Sequence, residues 1–256
     1  MAEIASGGEK RTLFVFDFDL TLVDDNTDTW IMSICPELQI HENLRSLRKQ
    51  FGCWTDLMDH VFSLISPHTT QEGILEHMRQ LRLYEQAMKA ISAIRDSQNS
   101  EAIVISDANT IFIECILQEC GVRDVIKQVF SNPAQFEPSG RLSVKRYHSH
   151  NCVTCSHSPN LCKGSVLNDY LRANSSYEKI VYVGDGRGDY CPAVSLREQD
   201  VVVCREGFPL AKLLSSVSVE SESTTSKATR QFSCQASVHV IDFVKNLGDV
   251  ISAECV

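Results

Sequence analysis

Residues 12–21 read TLFVFDFDLT. The run is short, apolar, β-branched and aromatic, and it predicts a buried strand over 12–18. Two carboxylates, Asp17 and Asp19, stand where the apolar run gives out. Acidic residues at the end of a buried strand need a reason, because a bare charge in a dry place is costly. Surface-turn acids are the ordinary explanation. The rest of the chain argues against it by repeating the pattern.

EAIVIS (101–106) is a second buried strand and ends on Ser106-Asp107. KIVYVG (179–184) is a third and runs into GDGRGD, and VVVC (201–204) is a fourth. Helical spacing lies between them. Residues 26–95 carry apolar positions three and four apart (Leu44, Leu47, Leu57, Met58, Val61, Phe62, Leu64), ending in a helix near 85–96 that returns to the core. A helix over Ile111–Cys120 is closed by Gly121. A short extended piece begins at Val129-Phe130, a hairpin turns at Pro138-Ser139-Gly140, and another helix covers about 164–171. Cys191-Pro192 fits a helix start with Pro in its first turn. A helix or strand is expected at 237–251, and the Ser/Thr-rich tract 215–230 reads as a solvated loop. Strand and helix alternate, so the fold class is α/β with a mostly parallel, Rossmann-like sheet. The expected division is a core of residues 10–25 and 97–256, with a helical cap inserted at 26–96. In open α/β sheets, sites gather at the carboxyl ends of the strands. The three polar strand ends therefore converge on one crevice.

Bulk properties narrow the function. The 256 residues carry a net charge of -9 and a pI near 5.4. A protein held to nucleic acid by phosphate neutralisation would be basic, so no nucleic-acid partner is expected. No apolar run approaches the ~20 residues that span a bilayer, and no membrane partner is expected. The N-terminal MAEIASGGEK lacks a hydrophobic signal stretch. The 11 cysteines are an odd number, which suits free thiols in a reducing cytoplasm. The expected partner is a small phosphomonoester, and nothing in the sequence sets an oligomeric state.

Two carboxylates two residues apart repel in a dry site, and a divalent cation removes that repulsion. Asp185 and Asp189 add oxygen ligands, and an all-oxygen set suits Mg²⁺ over zinc. A carboxylate can also serve as a nucleophile and carry the phosphoryl group as an aspartyl-phosphate. Such chemistry needs a lysine and hydroxyl donors near the transferring group. Lys163, Ser106 and Thr21 are the candidates.

At these residues the chain resembles the haloacid-dehalogenase (HAD) phosphatases: Asp17-x-Asp19-x-Thr21, Ser106 after an apolar strand, Lys163 ahead of a helix, and Gly184-Asp185-Gly186-x-x-Asp189, in that order. FDFDLTLVDDNTDTWI, ISDAN, the HSHNC-to-NLCK segment and GDGRGDYCP resemble more closely the phosphoethanolamine/phosphocholine phosphatase family. That family has pyridoxal-phosphate phosphatase and plant thiamine-phosphate phosphatase-like relatives. The resemblance covers roughly 12–210. It implies Mg²⁺ as cofactor, Asp17 as nucleophile and metal ligand, and Asp19 as general acid and then base, with its backbone carbonyl on the metal. It also implies Thr21, Ser106 and Lys163 on the phosphate, and Asp185 and Asp189 on the metal, Asp189 directly or through water. Asp28 and Asp107 fall at substrate-binding positions. Arg187-Gly188 stands where animal relatives carry Ala-Asn or Gly-Asn.

Asp28 and Asp107 have a reading of their own. Extra acids hinder an anionic substrate and favour a leaving group with positive charge, as in phosphoethanolamine, phosphocholine, pyridoxal 5'-phosphate or thiamine monophosphate. Trp30 and Trp54 could add cation–π contact, although tryptophans are mostly core. The plain alternative makes Asp28 a helix cap. Phosphoserine, met by Arg45, Arg48 or Lys49, is the rival substrate, and a non-catalytic phosphate or metal sensor is the rival class. Finally, His148, His150, Cys152, Cys155 and Cys162 have the spacing of a structural Zn²⁺ site, against which stands the frequency of buried thiols in ordinary cores.

Overall fold

A computed structural model describes residues 11–155, 160–174, 177–217 and 234–255. Of the Ser/Thr-rich tract, 218–230 lies outside the described residues, as do 156–159 of the Cys/His loop. Ser215 to Val217 instead close a helix.

The chain opens with β1 (Arg11–Phe16), then inserts α1 (Thr27–Trp30), α2 (Ile40–Arg48), α3 (Trp54–Ile65), α4 (Gln71–Met78) and α5 (Glu85–Asp96) before β2 (Ser100–Asn109). α6 (Thr110–Glu119), β3 (Ile126–Asn132) and the hairpin β4 (Ala134–Phe136)–β5 (Leu142–Val144) follow. Then come α7 (Lys163–Ala173), β6 (Tyr177–Gly184), α8 (Tyr190–Ala193), β7 (Val201–Arg205), α9 (Pro209–Val217), β8 (Ser237–Ile241) and α10 (Phe243–Glu254). The segment 237–251 is thus both strand and helix. Gly121 takes φ +66 just past α6, and Gly140 takes φ +85 in the β4–β5 turn, left-handed conformations that glycine adopts without a Cβ clash.

Six strands form one parallel sheet in the order β3-β2-β1-β6-β7-β8. Alternation along β1 explains why it stands at the centre. Phe14 and Phe16 join the core on one face, with Val104, Val181 and Val183, α5, α6 and α10. Leu13 and Val15 join the core on the other, with Ile103, Ile105, Tyr182, α7 and α9. Strands buried on both faces read as near-continuous apolar runs, which is how these four stand out in the sequence.

The strand order reverses at β1. From β1 the chain steps outward to β2 and β3, then crosses to β6 on the other side. Such a switch point opens a crevice beyond the carboxyl ends of the strands. Asp17 leaves β1 at that crevice. β2 loses register with β3 between Ile105 and Asn109, so Ser106, Asp107 and Ala108 leave that ladder at the same edge. The insertion α1–α4 stands over this end, while α5 packs against α10 below it.

Candidate active site

Four buried side chains meet at the crevice. Lys163, the first residue of α7, places Nζ 2.7 Å from Asp17 Oδ2 and 2.8 Å from Asp189 Oδ1. Carboxylate oxygens of Asp17, Asp185 and Asp189 all lie within 4.8 Å of one another. Thr21 Oγ1 donates to Asp185 Oδ1 at 3.3 Å, across 164 residues of chain.

Asp189 has no exposed surface, and protein donors occupy both its oxygens. Oδ1 accepts from Lys163 and from the Tyr182 hydroxyl at 2.7 Å. Oδ2 accepts from the backbone N–H groups of Asp185 and Gly186 at 3.1 and 2.8 Å. Asp189 therefore holds the Asp185 loop and the lysine together. Gly184 is glycine for the same reason: a Cβ there would meet Asp189 Cγ at 2.5 Å.

The charges do not balance. Three carboxylates face one ammonium, so the ionised cluster carries a net charge of about −2 on buried side chains. Burial raises the Asp17 pKa well above the usual carboxylate range, and Asp189 adds to the rise while Lys163 opposes it. Burial and Asp189 likewise push Asp185 up to about 7. Burial works against the charge on Lys163, but Asp17 and Asp189 together outweigh it and hold the lysine protonated. An all-oxygen, doubly anionic cradle fits a hard divalent cation such as Mg²⁺ and not a thiophilic one.

Asp19 is set apart from this cluster. Its Oδ2 accepts from Thr27 Oγ1 at 3.1 Å, while its buried Oδ1 has no hydrogen-bond partner. Burial raises its pKa well above the ordinary value, with Asp28 the next contributor. The turn carrying it puts Leu20 at φ 58, where its carbonyl accepts from Arg205 Nη1 at 2.7 Å.

Asp28 is also buried. Trp54 Nε1 donates to its Oδ2 at 2.6 Å, and its pKa is pushed up to about 7 by burial, against the Trp54 bond, with Asp107 adding to the rise. It caps no helix: Asn26 caps α1 by accepting from Thr29 N. Trp30 packs on the core and donates Nε1 to the His77 carbonyl. Trp54 does both jobs, packing on the core and lining the cavity.

That cavity has a volume of about 420 Å³. Asp17, Asp19, Asp107, Lys163, Asp185 and Asp189 open onto it, as do Arg48, Asn160 and Arg187. Thr21 and Ser106 are fully enclosed instead. Ser106 Oγ accepts from Ala108 N at 3.3 Å. Of Arg45, Arg48 and Lys49, only Arg48 lines the cavity among the described residues.

The sequence reading overlooked Tyr182 and Asn160. A tyrosine inside KIVYVG is a signal in retrospect, because a buried phenol needs a partner. Asn160 donates to Thr55 Oγ1 and Asn132 Oδ1, tying α3 to the loop before α7. The expected zinc set needs correction. Backbone N–H groups meet one nitrogen of each imidazole, Cys162 N donating to His148 Nε2 and Cys152 N to His150 Nδ1. Among the described residues no histidine joins the thiols; Cys191 does, giving the cluster Cys152, Cys155, Cys162 and Cys191.

A family model described as Putative Phosphatase matches residues 12–239. The chain belongs to that family. Mus musculus "Pyridoxal phosphate phosphatase PHOSPHO2" is 38% identical over 218 residues, which cover 83% of this chain and 89% of that protein. Homo sapiens "Phosphoethanolamine/phosphocholine phosphatase" is 32% identical over 217 residues, covering 82% and 80%. The crystal structure of phosphoserine phosphatase from T. onnurineus has the same fold, with TM-score 0.52, 16% identity and 95% coverage of each chain. The chain is therefore a phosphatase, a phosphoric monoester hydrolase, with an α/β core. No helix among its described residues is long and apolar enough to cross a membrane.

Proposed function

We propose that this phosphatase hydrolyses a small phosphomonoester whose leaving group is cationic, through an aspartyl-phosphate on Asp17 and with Mg²⁺. The observation that carries the proposal is the contrast between two neighbouring carboxylates. Asp17 lies in the doubly anionic cluster, where a divalent cation would favour its ionised, nucleophilic form. Asp19 lies outside that cluster, with one oxygen unpartnered and its proton favoured by burial. One carboxylate is suited to attack and the other to donate a proton, the separation of roles that acid–base catalysis requires.

Asp17 and Asp185 would ligate the metal with the Asp19 backbone carbonyl, and Asp189, whose oxygens are taken by protein donors, would hold Asp185 and Lys163 in place. Bound there, Mg²⁺ supplies charge neutralisation for the transferring phosphoryl oxygens. Lys163 holds the phosphate beside Asp17; Ser106, expected there too, is enclosed within β2 and lies off the cavity wall. Thr21, expected on the phosphate, would serve by orienting Asp185, the partner of its hydroxyl. An Asp17 oxygen attacks phosphorus in line with the leaving oxygen, which takes the Asp19 proton. Asp19, now ionised, removes a proton from the water that hydrolyses the aspartyl-phosphate.

Asp107 at the cavity wall and Asp28 behind Trp54 bias the leaving-group side toward positive charge. Pyridoxal 5'-phosphate, phosphocholine, phosphoethanolamine and thiamine monophosphate all meet that requirement. The names of the mouse and human relatives match the first three. Arg48 supports a second reading, because a guanidinium on the cavity wall could pair with the carboxylate of phosphoserine. Cytoplasmic placement is part of the proposal, in keeping with the thiol state of all 11 cysteines.

The test is phosphate release over these five substrates, with and without Mg²⁺, for the wild type and Asp17→Asn. The expected result is Mg²⁺-dependent turnover of a cationic substrate that chelator and Asp17→Asn each abolish while the fold is retained. Turnover by well-folded Asp17→Asn, free of contaminating phosphatase, would refute the mechanism. A preference for phosphoserine would refute the substrate class alone.

A further inference from the structure

Behind the phosphate site, on the far side of Lys163, four thiols close on one point. Cys155, Cys162 and Cys191 are buried and Cys152 is half-buried. All four Sγ atoms lie within 4.8 Å of one another. The separations are 3.4 Å for Cys155–Cys162, 3.6 Å for Cys152–Cys191 and 3.7 Å for Cys162–Cys191. A disulfide would bring two sulfurs to ~2.05 Å, and none of these pairs is near that. A tetrahedral zinc with Zn–S bonds of ~2.3 Å sets its sulfurs about 3.8 Å apart. The observed separations match the edges of that tetrahedron.

We infer that Cys152, Cys155, Cys162 and Cys191 bind a structural Zn²⁺ as a tetrathiolate. The ligands come as Cys-x-x-Cys from the loop before α7, the residue capping α7, and the second residue of α8. The surroundings suit thiolates. Ser165 N donates to Cys162 Sγ at 3.3 Å, and the Gly164 N–H bonds Cys191. Both amides belong to the first turn of an 11-residue helix, whose positive end favours bound negative charge. N–H···S bonds of this kind orient and stabilise metal thiolates. Gly164 leaves room for the arrangement, since a Cβ there would meet Cys191 Sγ at 2.6 Å.

The position of the site explains what it would do. Cys162 immediately precedes Lys163, and Cys191 follows Asp189 by two residues. An ion shared by those sulfurs fastens α7 to α8 directly behind the Lys163–Asp189 pair. It also anchors the 148–155 loop, which has little apolar packing of its own. The ion is distinct from the Mg²⁺ proposed at the carboxylates, which offer oxygen alone.

The test is metal content. Full-length protein is produced in zinc-supplemented medium, kept reduced, washed with a mild chelator and analysed for zinc by mass spectrometry. Cobalt exchange is followed by absorption. The expected result is one zinc per chain, released in step with organomercurial titration of the thiols. Cobalt-loaded protein should show sulfur-to-cobalt charge transfer with tetrahedral d–d bands. Cys191→Ser should lose the zinc, and Cys234→Ser, outside the cluster, should keep it. If Cys191→Ser fails to fold, Cys152→Ser at the half-buried corner replaces it, with the same loss expected. Zinc below a tenth of an equivalent with no cobalt charge-transfer band would overturn the inference. So would disulfides among these four residues in freshly isolated protein, or equal zinc in the wild type and the cluster variant.

Discussion

Asp28→Asn tests the selection of a cationic leaving group most sharply. The substitution is isosteric, keeps an acceptor for the 2.6 Å bond from Trp54 Nε1, and removes one negative charge. Asp28 stands behind Trp54 and off the cavity wall, so a substrate cation ~8 Å away would be attracted by ~2 kcal/mol at an effective dielectric of about 20. Asp28 has its pKa pushed up to about 7, so it is half-ionised at neutral pH. Solvent reaching the open cavity reduces the contribution of the fully ionised group to about 1–2 kcal/mol, or ~5–30-fold in kcat/KM. The assay compares phosphocholine with 3,3-dimethylbutyl phosphate, in which a carbon replaces the quaternary nitrogen. Shape is nearly matched and the difference in leaving-group basicity is the same for both enzymes, so the change in the ratio of kcat/KM values on substitution isolates the charge. In the wild type the ratio rises as pH increases through about 7, because Asp28 ionises over that range. In Asp28→Asn it is flat and lower by the stated factor at the alkaline end. Equal losses on both substrates, or a wild-type ratio that ignores pH, would refute the reasoning.

Two further outcomes follow from the same geometry. In metal-free protein Asp17, Asp19, Asp28 and Asp185 all have raised pKa values, so the native state holds protons that the unfolded chain releases. The stability they contribute is complete below their unfolded values near 4 and is lost as pH rises, through about 7 for Asp28 and Asp185. Mg²⁺ binds the ionised cluster, so the difference in Tm between Mg²⁺-loaded and chelator-treated protein should widen from pH 5 to 8, reaching several degrees at saturating metal. A difference that shrinks over this range would contradict the cation site. Gly184→Ala drives a Cβ into Asp189 Cγ at 2.5 Å. Overpacking of this kind costs ~1–3 kcal/mol, and here it also displaces the partner of Lys163. Calorimetry should show the lower Tm, and kcat should fall at least tenfold; a wild-type kcat would count against the role given to Asp189.

Much of this was legible in the sequence, for a physical reason. A parallel sheet buried on both faces makes strands into plain apolar runs, so TLFVF, AIVI and IVYV mark themselves. The residues just past them stand at the one edge where side chains can meet. Lys163 was legible through its place before a helix. Sequence separation hid the rest. The link from Thr21 to Asp185 crosses 164 residues, and that from Trp54 to Asp28 crosses 26. Neither leaves a local signature. Cys191 read as part of a helix start, which it is, but its thiol belongs to a cluster 29 residues away at Cys162. His148 and His150 had metal-like spacing, yet a backbone amide meets one nitrogen of each ring and neither ring joins the thiols. Spacing identifies possible ligands and cannot say which are already engaged. Asp19 shows the same limit: the pair Asp17-x-Asp19 reads as two metal carboxylates, and only the fold turns the second toward Thr27.

The central claim is that phosphorus bonds to Asp17 before water does, and trapping that bond tests it directly. Asp19→Asn lacks the base for the second step and should accumulate phosphoenzyme. It is incubated with Mg²⁺ and radiolabelled substrate whose leaving group needs no proton, acid-quenched, digested and sequenced by mass spectrometry. The account predicts label on the 12–21 peptide, at Asp17, lost on hydroxylamine treatment and absent when Asp17 is also replaced by Asn. Substrate turnover with no label on that peptide, or label persisting in the double variant, would contradict it.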